Sequence, residues 1–99
     1  MIVNGYQTIT TFFYDFTIAD KFGAKAIKDT YKRAFNEWKD HYEYLTEFVL
    51  VLNWKIWEHY ENGNMELAEV YNALWQDADL YACENLKGDE LSYFYQMTD

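Results

Sequence analysis

Residues Phe48–Tyr60 read FVLVLNWKIWEHY, and the fold turns on how this stretch is understood. Five apolar residues run without a break, and two tryptophans follow three apart. A bilayer span needs about 20 apolar residues. Asn53 and Lys55 end this run far short of that, so the stretch is expected in a chain that does not enter a membrane. The remaining choice is a buried core helix or an amphipathic helix with a binding face. Tyr42, Leu45, Val49, Leu52, Ile56 and His59 step alternately by three and four, which is one face of an α-helix. Tyr44, Phe48 and Val51 form a second apolar line beside it. A helix apolar on more than one side is expected at the centre of a bundle.

The pattern extends outward from this central helix. Towards the N-terminus, Ile27, Tyr31, Ala34 and Trp38 make a similar seam, widened by Phe35. Before them, Ile9, Phe12, Phe16 and Ala19 share one face of a helix over about 9–22, with Thr8 or Thr10 as its cap and Gly23 as its C-terminal left-handed residue. Residues 1–7 read as an irregular lead. Asp40 is placed to cap the central helix, with Glu43 three residues on, although nothing in the sequence forces a break between the second and third helices. Towards the C-terminus, Asn62-Gly63-Asn64 is the clearest break. A fourth helix then carries Leu67, Tyr71, Leu74, Ala78 and Tyr81. Gly88 and Asp89 stop that helix and cap a short fifth one bearing Leu91, Phe94 and Tyr95. With no proline and four glycines in 99 residues, long helices and short turns are favoured. The expected fold is all-α: one domain, 1–99, a compact bundle of four to five helices, mostly antiparallel.

Charge bounds the function. The chain carries a net charge of −9. It is unevenly spread: residues 1–20 contribute −2, residues 21–39 contribute +4 and residues 40–99 contribute −11. So acidic a surface opposes nucleic acid and favours a basic protein partner. Lys21, Lys25, Lys28 and Lys32 do line one face of the second helix. They read first as a solvated face paired with nearby acids, and second as a phosphate-contacting surface. The single cysteine, Cys83, precludes an internal disulfide and fits a reducing cytoplasm.

No pattern of residues points to catalysis or a cofactor. His41, His59 and Cys83 have no metal-ligand spacing, Cys83 lies beside Glu84, and no glycine-rich loop is present to hold phosphate. The expectation is no enzyme, no metal and no cofactor. What stands out is the outer face of the central helix: Glu43, Glu47, Leu50, Trp54, Glu58 and Glu61 recur at steps of three and four. Two large apolar residues in an acidic stripe match the anchor and rim of a protein interface, or else lie beneath a neighbouring helix. Glu66, Glu69 and Asp77 continue the acid on the fourth helix, with Glu84 and Asp79.

Three stretches also carry a resemblance: Tyr14–Gly23 with Ala26–Phe35, Asn53–Trp57, and Glu84–Tyr95. Together they resemble short acidic helical proteins carried on conjugative or phage-like mobile elements of gut bacteria. The resemblance implies an accessory protein of such an element. Small acidic proteins in that setting include inhibitors of host defence of the anti-restriction and anti-CRISPR type, which act by nucleic-acid mimicry. The expected function is therefore a non-enzymatic module that binds a basic protein surface or a nucleic-acid-binding protein. Its rivals are a structural homo-oligomer and DNA binding through residues 21–39.

Overall fold

Among the described residues, helix gives way at three glycines and at one aromatic corner. The structure is a computed structural model that describes the backbone of residues 5–98 and the side chains of residues 11–98. Five helices follow in order: α1 Gly5–Asp20, α2 Ala24–Trp38, α3 Tyr42–Glu61, α4 Met65–Asn85 and α5 Asp89–Thr98. The chain is an all-α bundle. The first helix starts earlier than the sequence suggested. No proline or second glycine lies between Gly5 and Asp20, so nothing stops the helix propagating through Thr8 and Thr10. Residues 5–7 of the expected lead are thus helical, and 1–4 lie outside the described residues.

Gly23 performs two jobs. Its N–H donates to the Ala19 carbonyl at 3.2 Å, closing α1, and its own carbonyl accepts the Ile27 N–H, opening α2. Its backbone (φ 103°, ψ −173°) lies not in the left-handed helical region but in one open almost only to glycine. The turn after α3 is a complete Schellman motif. The Asn64 N–H bonds to the His59 carbonyl and the Gly63 N–H to that of Tyr60, with Gly63 at φ 79°.

Helices α2 and α3 are not one rod. They part at Lys39–His41, and His41, not Asp40, is the residue before the first turn of α3. Aromatic packing holds this corner. Trp38 meets Tyr44 edge-on at 4.5 Å, and His41 lies 5.9 Å from Trp38 and 5.1 Å from Tyr44. A bend stapled by rings needs no side-chain cap.

The seam expected along α3 is the core. Leu45, Val49, Leu52, Ile56 and His59 are buried, as are Phe48 and Val51 of the second line. Phe48 is the hub. Its ring packs against Phe12 and Phe16 of α1 and against Tyr31 and Phe35 of α2, at centroid distances of 5.2 to 6.3 Å. Four rings from two helices therefore converge on one residue of a third. Consecutive helices α1 to α4 run antiparallel, which sets α1 parallel to α3: Phe12 lies by Phe48, and Asp20 by Lys55 and His59.

Helix α5 is half the length of α3 and covers only part of it. Tyr93 packs edge-on against Tyr42, and Thr98 lines a crevice with Val49, Leu50, Asn53 and Trp75. The last two turns of α3, from Trp54 onward, extend past the end of α5. Truncation of the hub should show its weight. Phe48→Ala is expected to cost about 3–5 kcal/mol of stability, read as a lower urea midpoint, whereas a loss below about 1 kcal/mol would mean that the aromatic cluster repacks without it.

Candidate functional site

Two features of α3 are chemically distinctive: a buried charged network on its α1 side, and an acidic and aromatic face on its solvent side. The network centres on Lys55, whose side chain is fully buried. The sequence reading placed this residue as a mark of polarity, not as core. Its ammonium lies 2.7 Å from Asp20 Oδ2 and 2.7 Å from Glu58 Oε2, and donates to Thr17 Oγ1 at 3.3 Å. All three donors are thus satisfied. The same nitrogen lies 4.8 Å from the centroid of the Phe13 ring and 5.9 Å from that of Tyr71, within cation–π range.

Asp20 is equally well served. Besides Lys55, its Oδ2 accepts from His59 Nε2 at 3.0 Å, and its Oδ1 accepts from the Tyr71 hydroxyl. Asn64 Nδ2 lies 3.3 Å from His59 Nδ1. The Nε2–H of His59 is the donor to Asp20. Burial, followed by the hydrogen bond and charge of Asp20, holds the Tyr71 phenol far above its usual value, so it remains a donor. Three helices are tied together here: α1 through Thr17 and Asp20, α3 through Lys55, Glu58 and His59, and α4 through Tyr71.

Asp20, Glu58 and His59 bring possible ligand atoms within 4.8 Å of one another, the kind of set that holds a metal. The position between the two carboxylates is filled by the ammonium of Lys55. The arrangement works as an internal ion cluster.

On the solvent side, the residues expected to meet a partner divide. Glu43, Trp54, Glu61, Glu66, Glu69 and Asp77 are exposed, with Trp54 at 45 %. Leu50 is half-buried at the crevice with Thr98. Two members of the stripe are corrected. Glu58 is only half-exposed because it is drawn into the bond with Lys55. Glu47 is buried, 5 % exposed, and its Oε1 has no hydrogen-bond partner. Burial first, and the neighbouring Glu43 charge second, push its carboxyl up to about 7.

The sequence reading also missed two members. Trp57 is 58 % exposed and Tyr60 49 %, their rings 5.8 Å apart. Trp57 was signalled by its spacing from Trp54. Tyr60 was obscured by its place beside the buried His59. Met65, first in α4, is also exposed. On α2, Lys25 pairs with Asp29 at 3.0 Å and holds that carboxyl below its usual range. Among the described residues no ion pair engages Lys28 or Lys32, so most of the expected pairing on that face is missing.

Two outcomes test this site. Lys55→Met leaves Asp20 and Glu58 facing each other without a cation, and should cost about 3–5 kcal/mol in urea unfolding; a neutral result would show that the network does not tie the helices. Glu47 acts through pH. Its folded carboxyl binds a proton more tightly than the unfolded one, so stability falls as pH rises from about 4.5 to about 7 and then levels off. Glu47→Gln removes this loss. Its melting temperature should exceed that of the wild type by on the order of 5 °C at pH 8 and match it at pH 4. An equal shift at both pH values would contradict the assignment.

No family model, no curated protein and no solved structure matches the chain.

Proposed function

We propose that the chain is a non-enzymatic, acidic protein-binding module that docks on a basic protein surface through the outer face of α3. One observation carries this reading: Trp54, Trp57 and Tyr60 stand exposed on the last two turns of α3, where α5 does not reach. Large aromatics supply much of the binding energy at interfaces and bind cationic groups on their faces. The carboxylates of Glu43 and Glu61 lie on the same helix, and those of Glu66 and Glu69 on the first turns of α4 across the Schellman turn.

Charge favours a basic partner over a second copy of the chain. Two copies bring −9 each and repel at low salt, whereas a basic surface is attracted over a Debye length of about 10 Å. The partner class suggested by the resemblance, a nucleic-acid-binding protein of host defence held by an inhibitor of the anti-CRISPR or anti-restriction type, has this chemistry. It is supported by the exposed row Glu66, Glu69, Asp77 and Glu84 along α4, which extends for about 27 Å at the helical rise. The half-buried thiol of Cys83 agrees with action in the cytoplasm.

The test is affinity capture of partners from a bacterial lysate by wild type and by a Trp54→Ala/Trp57→Ala variant, at low and high salt. The proteins retained by wild type should be basic and released as salt rises. The variant should melt within about 3 °C of wild type and lose about 2 kcal/mol or more of affinity for the captured protein. Capture unchanged by both salt and substitution would overturn the proposal, and so would a variant that fails to fold, since the tryptophans would then be core.

A further inference from the structure

We infer that Trp57, Tyr60 and Glu61, at the end of α3, receive an arginine side chain of the basic partner in preference to a lysine, an inference that rests on the docking reading above. Trp57 is 58 % exposed and Tyr60 49 %, and their rings lie 5.8 Å apart with planes inclined by 35°. Residues three and four apart are neighbours on the surface of a helix. Tyr60 is three residues after Trp57, and Glu61 is four after it and exposed. Two solvent-facing rings and a carboxylate therefore adjoin one another.

The site has no cation of its own. Between Asp40 and Lys87 the chain holds one lysine and no arginine. That lysine, Lys55, is buried on the α1 side of α3. His59, the basic residue of the last turn, is buried and engaged with Asp20 and Asn64. Among the described residues, the cations set over rings are those of Lys55 with Phe13 and Tyr71. The exposed rings are left without one. They also stand where α3 ends, at Glu61. A helix C-terminus carries the negative end of the macrodipole and favours a cation.

The chemistry selects between the two basic side chains. A guanidinium is flat and weakly hydrated. It lies on an aromatic face while the N–H groups in its plane donate to a carboxylate beside it. An ammonium is a compact, strongly hydrated charge, and at an exposed ring it gives up little of its water. Trp57 offers the face, Tyr60 a second ring at its border, and Glu61 the acceptor.

The experiment is titration calorimetry at pH 7 with octa-arginine and with octa-lysine, at low salt, where screening is weakest. The two peptides carry the same side-chain charge, so a difference between them reports the cation's shape and hydration. Wild type should bind octa-arginine about tenfold more tightly than octa-lysine. Trp57→Leu keeps an apolar side chain and removes the ring. It should bind octa-arginine about tenfold more weakly than wild type does, and octa-lysine within about twofold of wild type. Trp57→Phe should retain most of the preference, and Tyr14→Leu, exposed on α1, all of it. Glu61→Gln should weaken octa-arginine more than octa-lysine, and equal losses would strike the carboxylate from the site. Equal affinity of wild type for both peptides overturns the inference and leaves docking on a basic surface standing. A preference that survives in Trp57→Leu does the same, since the selection is then made elsewhere. Failure of wild type to bind either peptide overturns both readings. A Trp57→Leu chain that fails to fold also overturns both, because Trp57 would then be core.

Discussion

A lysine ammonium buried among helices must find opposite charge, and in this chain that requirement organises the bundle. Removing one such ion from water costs several kcal/mol even after relaxation. Lys55 meets the cost with two carboxylates at 2.7 Å and a hydroxyl. Because Asp20 is one of those carboxylates, the end of α1 is fixed against the third quarter of α3. Because Tyr71 and His59 complete Asp20, α4 is fixed against both. The same residue sets the direction of the solvent face. Successive residues of an α-helix turn by about 100°. With Lys55 aimed at α1, Trp54 and Trp57 point away from it and into solvent.

Helix α5 covers that face in part. Its ten residues carry it from Tyr42 to the region of Asn53, and there it ends. A second exposed apolar ridge runs from α1 into the turn that follows it, where Tyr14, Ile18 and Phe22 recur at intervals of four. It borders a groove between α1 and α2 lined by Asp15, Ala26, Asp29 and Arg33 among others. The two surfaces differ in electrostatics. The α1 ridge adjoins the basic helix α2, whereas the α3 face lies in the acidic two-thirds of the chain. A basic partner of the kind proposed above would therefore favour the α3 face.

Much of the architecture was legible in the sequence because the signals were local. The three-four stepping of Leu45, Val49, Leu52 and Ile56 identified the core seam, and Gly63 and Gly88 marked real turns. What the sequence concealed depended on distant partners. Lys55 reads as a polar interruption in an apolar helix, since its ligand Asp20 lies 35 positions earlier in another helix. Glu47 falls on the helical face of Trp54 and so reads as wet. Its burial depends on packing around the first half of α3, which periodicity does not record. The division at Lys39–His41 was hidden for a different reason: rings make the corner, with no glycine, proline or capping side chain to announce it. Of the expected partner face, Glu43, Trp54 and Glu61 survive as exposed residues, Glu47 and Glu58 turn inward, and Trp57 and Tyr60 join.

The outer face of α3 is exposed in the isolated protein, and the docking proposed above would cover it. Hydroxyl-radical footprinting with peptide mass spectrometry reads both states at single aromatic residues. In the isolated protein, Trp54, Trp57 and Tyr60 should oxidise readily while Phe48 and Tyr71 resist. With a captured basic partner bound, protection should appear at Trp54, Trp57 and Tyr60 and not at Tyr14 or Phe22. Protection of Tyr14 and Phe22 instead, or resistance of Trp54 and Trp57 in the isolated protein, would contradict the account.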